Sequence, residues 1–167
     1  MKRGLARIWA HLACDARDVR RLVPDESLRR IEQAVSEGER GHSAEIRIAI
    51  EASLPWHRVA RRVEPRERAL EVFSELRVWD TEGNNGVLIY VLMADRDVEI
   101  VADRAIAARV PQPEWDAVCR EMEDHFRAGR FAEGSEAGVA GIGRLLAGHF
   151  PGGAGDRDEQ PDRAVLL

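Results

Sequence analysis

Only one lysine occurs in the chain. It is Lys2, so of the 25 basic side chains 24 are arginine. A nucleotide-binding P-loop needs a lysine beside Ser or Thr, and a protein kinase needs a lysine on a strand. Pyridoxal and Schiff-base chemistry needs a lysine amine. A lysine at the second residue serves none of these. An excess of basic charge is missing too: the net charge is −5, which argues against non-specific nucleic-acid binding. Cysteine is scarce. Cys14 and Cys119 form no CxxC pair and no disulfide framework. His11 and Cys14 have ligand-like spacing, but two ligands are too few for zinc. Long apolar runs are also lacking. The longest, Val87–Ala94, suits a buried strand, whereas a membrane span needs about twenty residues. The apolar start Leu5–Ala13 is broken by Arg7 and His11 and is no secretory signal. A cytoplasmic protein without a membrane anchor of its own is expected.

What is present is an ordinary globular composition, 44% hydrophobic and 33% charged over 167 residues, enough for one domain with a real core. Leu5, Ile8, Trp9, Leu12, Ala16 and Val19 recur at helical spacing, predicting one amphipathic helix over residues 4–20 with a solvated basic face. That face could dock on a partner or on an anionic membrane. Pro24 and Asp25 open a second helix, with Asp25 as the expected cap. Glu45–Glu51 alternates, with Ile46, Ile48 and Ile50 on one side, and reads as a half-exposed strand near a sheet edge. Residues 52–64 show no period and read as a loop, and Pro65 starts the next helix. Val87–Ala94 is apolar on both faces, as a central strand should be, and Val98–Ala102 returns as its antiparallel partner. Two helices follow, from Pro113 to Gly129 and from Ala132 to Gly148. Glycines in the last predict close packing on a neighbour.

The order ααβαββαα gives an α/β fold. A right-handed parallel crossover plus an antiparallel hairpin forms a small mixed sheet, with helices on both faces. Three parts are expected: an N-terminal helix over 1–22, the α/β sandwich over 23–151, and an acidic, disordered tail over 152–167.

This topology collects polar residues at one end of the sheet: Glu45, Asp80, Glu82, Asn84, Asn85, Asp103 and Arg104. Carboxylate and amide oxygens are the ligands that Ca²⁺ and Mg²⁺ take. The same residues are also those that a plain turn uses. Better-known motifs fail here. In an EF-hand register Asn85 stands where glycine is needed and Val91 where glutamate is needed. Asp80-Thr81-Glu82 has the wrong second acid for a haloacid-dehalogenase phosphatase, and the downstream lysine is missing. Gly41–Glu45 resembles a nucleophile elbow, but Ser43 precedes a strand instead of following one. His42, His57, His125 and His149 have no relay partner in sequence, so no catalytic residue is identified.

Two segments resemble the TPM domain family, known from thylakoid lumen proteins of photosystem repair and from a channel modulator. They are Gly83–Ile106, with the Asn-Asn-Gly loop feeding an apolar strand, and Phe126–Pro151, with its G-x-F-x-x-G opening. A helix with Trp115 near its start lies between them, and the likeness runs from about Ala44 to Pro151. It is nearest the short bacterial subtype with two helices before the first strand. The resemblance implies a mixed α/β sandwich and divalent-cation binding, mainly Ca²⁺, with Mg²⁺ the more available ion inside a cell. It carries over Asp80, Asn84, Asn85 and Asp103, while Glu45 and Glu82 are added from the topology. Ala105 stands where the family usually has glycine. The family also implies a protein partner, a LemA-type membrane protein being the bacterial example, and weak acid phosphatase activity in plant members.

Three functions are therefore expected as alternatives. The first is a cation-binding accessory module that works with a membrane-associated complex. The second is a weak metal-dependent phosphatase, with metal-activated water as nucleophile and Arg104 or Arg96 on the phosphate. The third is a metal-free structural interaction domain.

Overall fold

Where the apolar period changes from about four residues to two, the chain changes from helix to strand. The computed structural model describes residues 4–152 and 159–167. Three helices come first: α1 (Leu5–Ala13), α2 (Ala16–Leu22) and α3 (Asp25–Glu39). Then follow β1 (Glu45–Glu51), α4 (Trp56–Ala60), α5 (Pro65–Glu75), β2 (Gly86–Leu92) and β3 (Asp97–Ala102). The rest comprises α6 (Arg104–Ala107), α7 (Gln112–Arg127), α8 (Phe131–His149) and β4 (Val165–Leu166). The sheet order is β3-β2-β1-β4, with β1 parallel to β2 and β4, and β2 antiparallel to β3. This is the expected mixed sheet sandwiched between helices.

Burial follows the strand alternation. Ile46, Ile48, Ile50, Ile89 and Val91 join the core beneath α3, α7 and α8, against Ile31, Val35, Met122, Phe126, Ile142 and Leu146. Ala49, Leu88, Tyr90, Leu92 and Val101 face the opposite side, against Ala69 and Val72 of α5. The glycines of α8 do allow a close approach: a Cβ at Gly138 would stand 2.2 Å from Met122 Sδ. Tyr90 brings its hydroxyl into this apolar layer, where it donates to Glu51 Oε2 at 2.6 Å. Arg68 Nε meets the same oxygen at 3.0 Å.

Several expectations need correction. First, β1 is an interior strand, and all seven of its residues are buried. Its polar residues have partners: Glu51 has Tyr90 and Arg68, Arg47 donates to the Pro161 carbonyl, and Glu45 accepts from two backbone amides. Paired polar groups can be buried, so alternation alone misjudges the strand's exposure. Second, the tail read as disordered lies partly on the sheet. Residues 153–158 fall outside the described ones, but Val165–Leu166 pair with Ala49–Ile50 and Gln160 is buried. Third, residues 4–20 are two helices. Asp15 interrupts them by capping α2: it accepts from Arg17 and Asp18 N–H, while Asp18 returns a bond to the Asp15 N–H. Fourth, residues 52–64 contain the short α4. In α3, Pro24 takes the cap position and Asp25 is the first helical residue, where its charge suits the dipole.

Helix α1 is also turned over relative to expectation. Arg7 and His11 point inward and are buried, while Leu5, Trp9 and Leu12 are exposed.

Candidate functional site

The strand register builds one polar end. Glu45 pairs with Gly86 in the parallel ladder, and Val87 pairs with Ala102 in the antiparallel one. The starts of β1 and β2 and the end of β3 therefore lie together. Backbone bonds lock the loop over them: Glu45 N–H to Asn85 O at 3.1 Å, Asp103 N–H to Gly86 O at 2.8 Å, and Ala105 N–H to Asn84 O at 3.1 Å. Asn84 has φ 49°, a left-handed conformation that asparagine tolerates better than most residues. Gly86 passes so close to the chain that a Cβ there would stand 1.9 Å from the Val78 carbonyl oxygen.

Asn84, Asn85 and Asp103 form the centre of this end. Asp103 Oδ1 caps α6 by accepting from the Arg104 N–H at 2.7 Å. Its Oδ2 is buried, with no hydrogen-bond partner among the described residues. Asn85 Nδ2 donates to the Ser43 carbonyl, which leaves Asn85 Oδ1 as a second buried acceptor with no partner among the described residues. Asn84 Oδ1 accepts from the Arg104 guanidinium, whose side chain is otherwise open to solvent. Buried oxygens without donors are costly, and two at one end of a sheet call for a positive ligand or a donor.

The other predicted residues contribute less directly. The Glu45 carboxylate accepts from the Glu159 and Gln160 amides at 3.2 and 3.0 Å, so the returning tail engages it. Asp80 and Glu82 lie on the exposed side of the loop, and the Glu82 amide donates to the Glu159 carboxylate at 3.2 Å. Among the described residues, no three His, Cys, Asp or Glu side chains converge to hold a metal. A cation here would draw on one carboxylate, amide oxygens and main-chain carbonyls. That all-oxygen donor set fits Ca²⁺ or Mg²⁺ and not zinc.

Sequence reading missed a carboxyl cluster behind this end. Glu39, the last residue of α3, accepts from the Ile46 N–H at 2.9 Å. Burial pushes its carboxyl up to about 8, and the neighbouring Glu45 and Asp162 add to the effect. Asp162 belongs to the tail, so no local pattern could join it to Glu39. Other candidates fall away. Burial pushes the Cys119 thiol up to about 12, so it is a poor nucleophile. His149 pairs with Glu114 at 3.1 Å. Arg96, one of the two expected phosphate-binding arginines, lies in the β2–β3 turn at the opposite end and donates to the Arg127 carbonyl.

The TPM domain profile matches residues 17–145. The chain belongs to the TPM domain family. Its structure is similar to the NMR structure of the BA42 protein from the psychrophilic bacterium Bizionia argentinensis, with 30% identity and a TM-score of 0.75. That match covers 85% of this chain and 93% of the other. The fold is also similar to the N-terminal domain of a P. gingivalis protein, with 18% identity and a TM-score of 0.65, over 77% of this chain and 79% of that one. No curated protein matches the chain. The TPM match begins within α2 and ends within α8, so α1 and β4 lie outside it. No described helix is long and apolar enough to cross a membrane.

Proposed function

We propose that this TPM domain binds a divalent cation, Ca²⁺ or Mg²⁺, at the Asn84–Asn85–Asp103 end of its sheet, and that it works as an accessory module in a protein complex. The observation that carries this reading is a pair of buried oxygens, Asp103 Oδ2 and Asn85 Oδ1, that have no partner among the described residues. Unsatisfied acceptors of this kind are rare in folded proteins, and a bound cation satisfies them. Arg104 complements the same region meanwhile, and its exposed side chain can leave at little cost. Asp80, Glu82 and Glu45 then act as outlying charge. A membrane-associated complex of the LemA type is the finer partner reading that the family likeness suggests.

The test is a titration of ¹⁵N-labelled, chelator-treated protein with Ca²⁺ and then Mg²⁺. Saturable amide shifts confined to Asp80–Gly86, Asp103–Arg104 and Glu45 are expected. Asp103→Asn keeps the acceptor that caps α6 while removing the charge, and should weaken binding about tenfold or more. Absence of shifts up to about 10 mM, beyond the range of extracellular calcium modules, would refute the proposal. The phosphatase alternative draws support from Arg104, whose exposed guanidinium lies beside Asp103. It requires turnover of p-nitrophenyl phosphate that Asp80→Ala and Asp103→Ala both abolish.

A further inference from the structure

The N-terminal helix α1 presents its apolar face to solvent. Leu5, Trp9 and Leu12 are 76%, 67% and 59% exposed. Trp56, on the adjoining α4, is 63% exposed. The opposite face of α1 is pinned to the domain by polar contacts. Arg7 Nε bonds Asp95 at 2.9 Å, and its guanidinium also donates to the Val63 carbonyl at 2.9 Å. His11 Nδ1 accepts from the Leu54 N–H at 2.8 Å, which leaves the proton on Nε2, 3.2 Å from Asp95. Buried ion pairs and side-chain-to-backbone bonds of this kind fix a rotation. The outward face of α1 is therefore part of the fold, and together with Trp56 of α4 it keeps two tryptophans and two leucines in water at a cost.

The charge around this face is one-sided. The described segments 4–14 and 52–63 hold Arg7, Arg58, Arg61 and Arg62 and no Asp or Glu, in a chain of net charge −5. Arg7 and Arg58 are paired with Asp95 and Glu71, whereas Arg61 and Arg62 are exposed. Exposed tryptophans on two short surface helices, with exposed Arg61 and Arg62 at the end of one of them, suit the headgroup region of an anionic bilayer. A two-fold contact between copies would instead bring these cationic rims together. We infer that α1 and Trp56 form a bilayer-docking face, which rests the domain on anionic lipid without crossing it. This inference is independent of cation binding, because α1 lies against Leu54 and Asp95 at the far end of the sheet from Asn84.

The test uses the whole chain and sedimentation with vesicles of phosphatidylcholine alone or with about 30 mol % phosphatidylglycerol, at about 50 mM salt. Pelleting with the anionic vesicles, a blue shift of tryptophan emission and loss of both at high salt are expected. The exposed-face variant Trp9→Ala/Trp56→Ala should weaken partition about tenfold or more. Arg61→Gln and Arg62→Gln should each weaken it about fivefold on anionic vesicles only. Failure to pellet with anionic vesicles overturns the inference, as does pelleting that the double tryptophan variant leaves unchanged. If light scattering shows a dimer that the same variant converts to monomer, and vesicles stay unbound, the face belongs to a second copy and the inference is wrong.

Discussion

Replacing Glu39 with glutamine should make the protein more stable at pH 8 and leave it unchanged near pH 4.5. The Glu39 carboxyl is raised from its ordinary 4.5 to about 8 by burial, with Glu45 and Asp162 adding their charge. Between those values the folded state holds a proton that the unfolded state has released. Stability therefore falls as pH rises, since the folded state binds more protons. A full shift from 4.5 to about 8 corresponds to roughly 5 kcal/mol at about 1.4 kcal/mol per pH unit. The carboxyl is part-exposed, and solvent screening reduces this to about 2 kcal/mol. The glutamine amide retains an oxygen for the Ile46 N–H, so the bond to β1 survives the change. Urea unfolding at several pH values measures the effect. At pH 8 the midpoint of Glu39→Gln should exceed that of the parent by about 1 M, with no difference at pH 4.5. Parallel pH profiles for the two proteins would refute the reasoning, because the slope would then arise elsewhere.

Two further perturbations test the scaffold. Gly86→Ala forces a Cβ against the Val78 carbonyl and should cost about 3 kcal/mol or more, read as a fall in Tm of about 10 °C. Asp95→Ala leaves Arg7 buried without its counter-ion and should cost about 3 kcal/mol, whereas Arg7→Met/Asp95→Leu should recover most of that loss. Asp95 has a pH signature of its own: burial works to raise its carboxyl, but the bonds from His11 and Arg7 outweigh it and hold it below the usual range. The stabilisation is therefore present above about pH 4 and lost as the solution is acidified further, visible as an acid-side fall in Tm that Asp95→Ala lacks.

The fold was legible wherever the apolar pattern was uninterrupted. Val87–Ala94, apolar on both faces, declared a central strand, and the turn at Asp95–Asp97 declared the hairpin. The register that gathers Glu45, Asn84, Asn85 and Asp103 follows from that topology. The tail was hidden because β4 is only two residues long and stands behind a polar segment. Alternation made β1 look like an edge strand, and missing the tail left that reading uncorrected and Asp162 out of the Glu39 cluster. The orientation of α1 was hidden for a different reason. Its apolar stripe was visible, but a helix does not reveal which stripe faces inward, and long-range polar contacts from Arg7 and His11 decided the matter against the hydrophobic rule. At the candidate site, residue types were readable and satisfaction was not. Only the structure shows that Asp103 Oδ2 and Asn85 Oδ1 are buried there with no partner among the described residues.

The two proposed surfaces sit at opposite ends of strands seven residues long, about 20 Å apart at roughly 3.3 Å per residue. That separation makes them physically distinguishable. A cation held at Asn84–Asp103 would lie at the other end of the strands from the residues that anchor α1. It would not be shared with lipid phosphates, and surface potential decays over about one Debye length of roughly 8–10 Å. Ca²⁺ bound at the polar end should therefore leave vesicle partition unchanged, apart from its general screening of anionic lipid, which Mg²⁺ reproduces. Asp103→Asn should likewise leave partition intact, and Trp9→Ala/Trp56→Ala should leave the cation-induced amide shifts intact. Coupling between the two ends would require a rigid element reporting from one to the other. The candidates are β1 and β2, whose residues are buried throughout and hydrogen-bonded in register along their full length. Such strands transmit a shift only by moving together, and closely packed interiors resist that. Independent behaviour is therefore the expected result, and a cation-dependent change in partition specific to Ca²⁺ and abolished by Asp103→Asn would show that the sheet moves as a unit.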